Sequence, residues 1–476
     1  MTGHSKERGG HPLRENIEVA IFAVVMAMGL KVFAIEAYQI PTGSMQPALM
    51  GTQLLDRDTR TTDGGLYDRV LVDKISYLFR DPERWEVIVF RYPLVTHVNY
   101  VKRLVGMPNE QLMIDNGDLF ARPLGSDEDF QILRKPWKVQ QSLWKRVLPP
   151  KNTDASAWIG WNESGALSRT TAGGILLSGA AQVSYDQRIK DDPSHGYPDA
   201  IVDRVPTMNA QARNTVSDLR YAFSLTPRQA RGPLRAVFEF GANACILEVS
   251  PDGTIHLTGP GEAKQTAFIA LSGDGVIAFD VAFWDHTLRC EARCGDAKVL
   301  LTDEPALVSK PAPRNGVRFS TDAGGWELGE VTAWRDIHYL PPRQTNATPV
   351  FEIEAGNYFM MGDNTQNSLD SRDWQARVMT FDPPLHGISV LRGDMMSNGP
   401  IHVFNNPRLN LSGTVLTFRD EHGGLHALSA EEVQSAQADG LEAAPLVPRE
   451  YVLGRALAVF LPVRPFSPVN RFGLVR

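Results

Sequence analysis

Short apolar runs separated by polar turns dominate the chain and predict β-strands over most of its length. "DRVLVDKISYLF" and "WEVIVFRYP" are rich in β-branched and aromatic residues, and "HVNYVKRLVGMPNE" ends at a Pro-Asn turn. "FEFGANACILEVSPDGTIHLTG" predicts two strands joined through Asp252-Gly253, a strong hairpin signal. The chain is therefore predicted to be mainly β.

The pattern changes along the chain in a way that predicts several folded parts, as a length of 476 residues also suggests. Short strands occupy residues 38–129 and return in residues 351–476. Between them, residues 130–350 carry clustered tryptophans and then long alternating strands with regular turns. This middle segment is predicted to be an inserted β-sandwich or jelly-roll domain.

One apolar segment, "IEVAIFAVVMAMGLKVFAI" at residues 17–35, interrupts the β pattern near the N-terminus. Its unbroken run, Val19–Leu30, would form about 18 Å of helix, short of a hydrocarbon core of about 30 Å. Glu18 and Lys31 could extend the span by snorkelling toward opposite headgroup regions. We therefore expect a single N-terminal transmembrane helix over residues 14–37.

The short segment before this helix, residues 1–13, is expected to be a cytoplasmic tail. Basic residues on the N-terminal side favour that orientation: Lys6, Arg8 and Arg14. A cleaved signal peptide and a buried core helix are the alternatives, but no A-x-A-like cleavage site follows the apolar run. With a retained anchor, the rest of the chain would lie outside the cytoplasm.

Composition narrows the classes of protein without identifying one. The chain is 43% hydrophobic and 22% charged, which is typical of a folded protein, and its net charge of -7 argues against a nucleic-acid partner. In one strand Cys290 and Cys294 would lie about 13 Å apart, too far for a disulfide. Cys245 could pair with either, or all three could be buried free thiols. No metal site or cofactor is predicted.

A candidate nucleophile, Ser44, follows the apolar segment directly, in "IPTGSMQPAL". A serine hydroxyl needs a neighbouring base, Gly43 permits close approach of a substrate, and Pro41 and Pro47 restrict the backbone. The alternative is a helix-exit turn with solvated hydroxyls. No histidine forms a convincing triad, and His97 is expected to be an ordinary surface residue.

The candidate base is Lys102 in "VNYVKRLVG". In a strand it shares one face with Val98, Tyr100 and Leu104, so apolar neighbours would surround its amine and burial would lower its pKa. The alternative is a lysine that snorkels to the surface.

A third polar segment, "GDNTQNSLDSR", covers residues 362–372. Asp370 and Arg372 would face the same way in an extended chain and could form an ion pair. Ser368 could accept a hydrogen bond from an amine and orient a neutral lysine. The alternative is a polar surface loop with an adventitious charge pair.

In these segments and their order, the chain resembles type I signal peptidases, the membrane-anchored Ser/Lys endopeptidases. The resemblance covers about residues 14–125 and 351–390, and the closing "VLGRALAVFLP" is similar to the family's final strand. It implies a nucleophile, Ser44, with its general base, Lys102; oxyanion and supporting residues Thr42, Ser368, Asp370 and Arg372; and substrate-binding residues of the nucleophile box, Met45 and Pro47.

The sequence departs from the family at Gly51-Thr52, at Asn109-Glu110 and above all in the long insert, which resembles a concanavalin- or laminin-G-like jelly roll. The resemblance implies hydrolysis of signal-peptide-bearing preproteins by a single-pass protein of the cell membrane, with the lipid bilayer as a second partner. The insert's ligand is unknown and could be a glycan or a protein. One alternative is an anchored glycan- or protein-binding module on a degenerate peptidase scaffold, and another is a Ser/Lys self-cleaving regulator.

Overall fold

The computed structural model confirms a mainly β chain built from antiparallel sheets. Its helices are α1 (Pro12–Gly29), α2 (Ser76–Phe79) and α3 (Trp137–Leu143), with 3-10 turns at Pro193–Gly196, Val202–Arg204, Thr365–Asn367 and Arg449–Tyr451. The structure describes residues 12–29, 35–149, 157–206, 212–305, 307, 310, 314–343, 349–397, 404–406, 408–409, 414–429, 432, 436–463, 467 and 469–476.

The predicted transmembrane helix over residues 14–37 is wrong. Within the described ranges no helix is both long and apolar enough to cross a membrane. Helix α1 is 18 residues long, and it carries Arg14, Glu15 and Glu18 in its first half, so its apolar part is about three turns. The chain continues as a strand at residues 35–39, not as helix. Lys31, Lys6 and Arg8, on which the prediction also drew, lie outside the described residues.

The segments before and after the insert together form a second domain, called the catalytic-type domain because it carries the candidate site residues. Its first part supplies nine strands. They are β1 (Ile35–Gln39), β2 (Gly51–Leu55), β3 (Thr62–Tyr67), β4 (Arg69–Asp73), β5 (Val87–Tyr92), β6 (Val95–Gly106), β7 (Glu110–Asp115), β8 (Asp118–Pro123) and β9 (Gln131–Ile132). Strand β6 is 12 residues long and pairs with β5 along most of its length, with Ile88 opposite Lys102. A long strand paired in this way holds its central residues firmly.

The insert supplies the next fourteen strands of the described chain. They are β10 (Lys145–Leu148), β11 (Asn162–Arg169), β12 (Ile175–Tyr185), β13 (Leu219–Pro227), β14 (Leu234–Phe240), β15 (Asn243–Val249), β16 (Thr254–Thr258), β17 (Lys264–Phe268), β18 (Ile277–Trp284), β19 (Thr287–Cys294), β20 (Ala297–Asp303), β21 (Asn315–Thr321), β22 (Trp326–Leu328) and β23 (Thr332–Arg335). The hairpin predicted at Asp252-Gly253 joins β15 to β16. Cys245, Cys290 and Cys294 are buried and free, which matches one of the two predicted alternatives.

The second part of the catalytic-type domain returns to the first sheet. Its strands are β24 (Val350–Ile353), β25 (Asn357–Met361), β26 (Gln375–Leu385), β27 (Ile388–Asp394), β28 (Met396–Ser397), β29 (Phe404–Asn405), β30 (Arg408–Leu409), β31 (Val415–Arg419), β32 (Leu425–Ser429), β33 (Ala436–Ala443), β34 (Leu446–Pro448), β35 (Val452–Leu461) and β36 (Gly473–Leu474). The resulting sheet runs β1-β4-β35-β5-β6-β25-β34, with β36 on β35. Strand β25 thus lies beside β6, although the whole insert separates them in sequence.

A buried cluster of charged side chains from the insert meets Asp118 of the catalytic-type domain. Lys135 forms ion pairs with Asp285 and Asp336, and the backbone N–H of Asp285 donates to Asp218 at 2.9 Å. Carboxylate oxygens of Asp118, Asp218 and Asp285 lie within 4.8 Å of one another. Burial raises the pKa of Asp218 to about 8, and the neighbouring carboxylates raise it further. The close packing of these buried carboxyl groups therefore favours the protonated form of Asp218.

Candidate active site

Ser44 lies in the tight turn that follows β1 and leads into β2. Within this turn the Leu49 N–H donates to the Met45 carbonyl at 2.9 Å, and the Gln46 N–H donates to the Gly43 carbonyl at 3.3 Å. Ser44 is half-buried. The Thr42 hydroxyl donates to Ser44 Oγ at 3.4 Å, so the two hydroxyls lie on the same side of the turn.

Lys102 projects from the middle of β6 toward this turn. Its Nζ donates to Ser44 Oγ at 3.0 Å and to Ser368 Oγ at 3.0 Å. The side chain is only 4% exposed, and the Tyr100 ring centroid lies 5.9 Å from Nζ. Burial lowers the pKa of Lys102 to about 8, against a smaller opposing effect of Asp370. A lowered pKa of this kind is what a lysine needs to act as a general base near neutral pH.

Asp370 and Arg372 form the ion pair predicted from their spacing. The Arg372 guanidinium donates to both Asp370 oxygens, at 2.7 and 2.8 Å, and neither side chain is more than 1% exposed. Asp370 also accepts from the Gly362 N–H at 2.9 Å. Burial alone would raise the pKa of Asp370, but Arg372 and these hydrogen bonds lower it below its usual value. The carboxylate thus fixes the loop that carries Ser368.

Met45 and Pro47 were predicted to bind substrate. Met45 is fully buried and packs with Ile40, Leu49 and Val87 beneath the turn. Pro47 is half-buried. A substrate role for these residues therefore stays a prediction. His97 is exposed, as expected of a surface residue.

Sequence reasoning missed three residues that complete the site. Arg103 and Asp363 form a fully buried bidentate pair, at 2.7 and 2.8 Å. The Asn364 N–H donates to the Ser44 carbonyl at 3.0 Å, and its side-chain amide donates to the Gly43 carbonyl at 3.1 Å. Arg103 directly follows the candidate base, and Asp363-Asn364 opens the polar segment, so the signal was present. Its partners become visible only in the folded chain.

Gly362 lies where the serine turn, β25 and the Ser368 loop are in close contact. A Cβ added to it would lie 2.2 Å from Ser368 Oγ and 2.6 Å from the Ser44 carbonyl oxygen. Distances under 3 Å force one of the two neighbours to move. A glycine is therefore required where the serine turn, β25 and the Ser368 loop converge.

Known proteins match this chain in the segments that carry the candidate site residues. The family model for signal peptidase, peptidase S26, matches residues 13–127 and 314–383. Signal peptidase I of Pseudomonas fluorescens is 30% identical over 227 residues, which cover 42% of this chain and 70% of that enzyme. Signal peptidase I of Pseudomonas aeruginosa is 32% identical over 137 residues, covering 25% of this chain and 43% of that enzyme.

The probable signal peptidase I-2 of Synechocystis is 29% identical over 134 residues, which cover 26% of this chain and 55% of that protein. The chain thus matches about half the length of several relatives. Among solved structures, the VIP36 exoplasmic/lumenal domain matches with a TM-score of 0.27 and 8% identity, over 40% of this chain and 89% of that one. No argument rests on so low a score. The relatives and the family model establish that the chain belongs to the signal peptidase I family, peptidase S26, and carries a large β-rich insert between its conserved segments.

Proposed function

We propose that the protein is a serine endopeptidase that cleaves N-terminal signal peptides from preproteins, with Ser44 as nucleophile and Lys102 as general base. The observation that carries the proposal is the 3.0 Å contact between Lys102 Nζ and Ser44 Oγ. Membership of the signal peptidase I family supports the substrate class.

In the proposed reaction, neutral Lys102 takes the Ser44 proton while Oγ attacks the scissile carbonyl carbon. The hydrogen bond from Lys102 to Ser368 holds the amine, so that its lone pair faces Ser44. In the proposal the Thr42 hydroxyl and the Ser44 N–H donate to the oxyanion, and one such donor is typically worth about 3 kcal/mol.

Collapse of the tetrahedral intermediate breaks the C–N bond, and protonated Lys102 gives its proton to the leaving amine, which is the N-terminus of the mature protein. Lys102, again neutral, then removes a proton from a water molecule that attacks the ester on Ser44. The second collapse releases the signal peptide as a carboxylic acid and returns the proton to Ser44. Every proton in this cycle moves between atoms within the site.

We further propose that the enzyme works at the extracytoplasmic surface of a membrane, where signal peptides of exported preproteins emerge. Apolar side chains of α1 that are exposed by half or more could contact lipid: Ile17, Val19, Ile21, Phe22, Val25 and Met26. In this proposal α1 touches the bilayer surface and does not cross it.

The experiment is cleavage of a purified preprotein by the full-length chain and by Ser44→Ala and Lys102→Ala variants. We expect cleavage by the unaltered chain at one site, identified by the new N-terminus, and loss of at least a thousandfold in kcat/KM in each variant. Unchanged cleavage by either variant would refute the Ser/Lys mechanism. Absence of cleavage by the unaltered chain, with selective binding of a glycan or protein, would favour the degenerate-scaffold alternative.

A further inference from the structure

The insert extends over the catalytic serine turn. Its 3-10 turn at Pro193–Gly196 places the backbone of Gly196 against the side chain of Gln46, two residues after Ser44. A Cβ on Gly196 would lie 3.2 Å from Gln46 Oε1 and 3.3 Å from Gln46 Cβ. Gln46 is itself fully buried, so this contact lies inside the protein.

The next residue of the insert, Tyr197, reaches the glycine beside the nucleophile. A Cβ on Gly43 would lie 3.4 Å from the Tyr197 hydroxyl. Burial raises the pKa of Tyr197, and the nearby side chains of Gln46 and Thr52 oppose that rise. The Tyr197 ring is 4% exposed and packs in a cluster with Met50, so it is held firmly in place.

The turn is therefore supported by residues from both parts of the chain. From the catalytic-type domain, Asn364 donates to the carbonyls of Gly43 and Ser44 and lies 3.4 Å from Gln46 Oε1. From the insert, Gly196 lies against the same glutamine and the Tyr197 hydroxyl lies close to Gly43. Movement of Gln46 would shift the turn and with it Ser44 Oγ.

The insert also contacts the polar segment of the site. Lys145, in β10, donates from its buried Nζ to the Asp363 carbonyl at 3.1 Å. The Gln366 side chain donates to the Asp191 carbonyl at 2.6 Å. The serine turn and the polar segment therefore both contact the insert.

We propose that Tyr197 is a positioning residue for Ser44 and that the insert is an integral part of the peptidase site through its Gly196-Tyr197 contact with Gln46. This inference rests on the proposed function, since it assigns Tyr197 a role in the same reaction. Tyr197 touches no reacting atom. It acts by packing its hydroxyl against Gly43 while Gly196 packs against Gln46, so that Ser44 Oγ stays within reach of the Lys102 amine.

The test is steady-state cleavage of a preprotein by Tyr197→Phe, which keeps the ring and removes the hydroxyl, and by Gly196→Ala, which presses on Gln46. We expect kcat to fall about tenfold in each, because small displacements of a reacting group are costly, while KM stays within twofold. The matched control is Tyr221→Phe, a hydroxyl deletion in the core of the insert, where kcat and KM should both be unchanged.

Thermal unfolding of each variant separates positioning from general weakening of the fold. The proposal holds if kcat falls at constant KM while the melting temperature stays close to that of the unaltered chain. It is overturned if both variants keep kcat within twofold, or if kcat, KM and melting temperature change together. A Ser44→Ala variant assayed in parallel distinguishes the two levels: its full activity would refute the proposed function itself, whereas an inactive Ser44→Ala with a fully active Tyr197→Phe would refute only the role of Tyr197.

Discussion

The protonation of Lys102 should set the pH dependence of the reaction. Its pKa is lowered from 10.5 to about 8 by burial. A shift of about 2.5 units corresponds to roughly 3 kcal/mol in favour of the neutral amine. At pH 7 about a tenth of the molecules would then hold a neutral Lys102, against roughly one in 3,000 for an unshifted lysine. The folded environment thus raises the concentration of competent base by a factor of about 300.

The assay is kcat/KM for preprotein cleavage between pH 5.5 and 10. This parameter reports the ionisation of the free enzyme. It should rise about tenfold per pH unit at low pH and level off above about 8, since only the neutral amine can accept the Ser44 proton. A profile that is flat across pH 6–9, or one that continues to rise beyond pH 10, would refute the reasoning.

A second buried lysine makes the control necessary. Burial lowers the pKa of Lys145 to about 7, and its amine hydrogen-bonds to the Asp363 carbonyl beside the site. In a Lys145→Met variant the height of the plateau can change, but the midpoint should remain at about 8. A midpoint that disappears in this variant would assign the titration to Lys145 and not to Lys102.

Three further predictions concern the surroundings of the dyad. Gly362→Ala should abolish cleavage, because its Cβ would lie 2.2 Å from Ser368 Oγ, and cleavage kinetics test this directly. Asp363→Ala should lower the free energy of unfolding by about 3–5 kcal/mol in urea titrations, because it leaves the Arg103 charge buried without its partner. Relative to that of Asp218→Asn, the melting temperature of the unaltered chain should fall as pH rises from 5 to 8, because the raised pKa of Asp218 contributes stability below its unfolded value near 4 that is lost as the pH passes about 8.

The first two of these predictions have matched controls. Gly440→Ala adds a methyl group with no atom within 4 Å and should leave cleavage unchanged. Breaking the exposed pair of Arg57 and Asp203, whose side chains are 65% and 37% exposed, should cost less than about 1 kcal/mol. Loss of activity in the first, or a cost in the second as large as that of the buried pair, would contradict the steric or electrostatic argument.

Local sequence patterns predicted the burial of Lys102 and the ion pair of Asp370 and Arg372, while the catalytic roles of Ser44 and Lys102 were inferred from the family resemblance. Alternation in the strand around Lys102 placed it among Tyr100 and Leu104, and the structure buries Lys102 and Leu104. The spacing of Asp370 and Arg372 likewise predicted their ion pair. Both arguments are local, so neither required knowledge of the fold.

The sequence did not predict contacts between residues that are far apart in the chain, and it gave the wrong length for the apolar helix. The pair of Arg103 and Asp363 joins β6 to the loop after β25, and no local pattern brings these residues together. Tyr197 reaches Gln46 only because the insert folds back over the catalytic-type domain. The membrane span was predicted from the apolar run, but charged residues occupy the start of α1 and a strand begins at Ile35.

The central claim is that Ser44 is acylated during the reaction. The most direct measurement is rapid acid quenching of the enzyme mixed with excess preprotein, followed by mass spectrometry of its proteolytic fragments. The mechanism predicts an adduct with the mass of the signal peptide on the fragment that contains Ser44, and no adduct in the Lys102→Ala variant. Complete turnover with no adduct at any quench time, or an adduct on another residue, would contradict it.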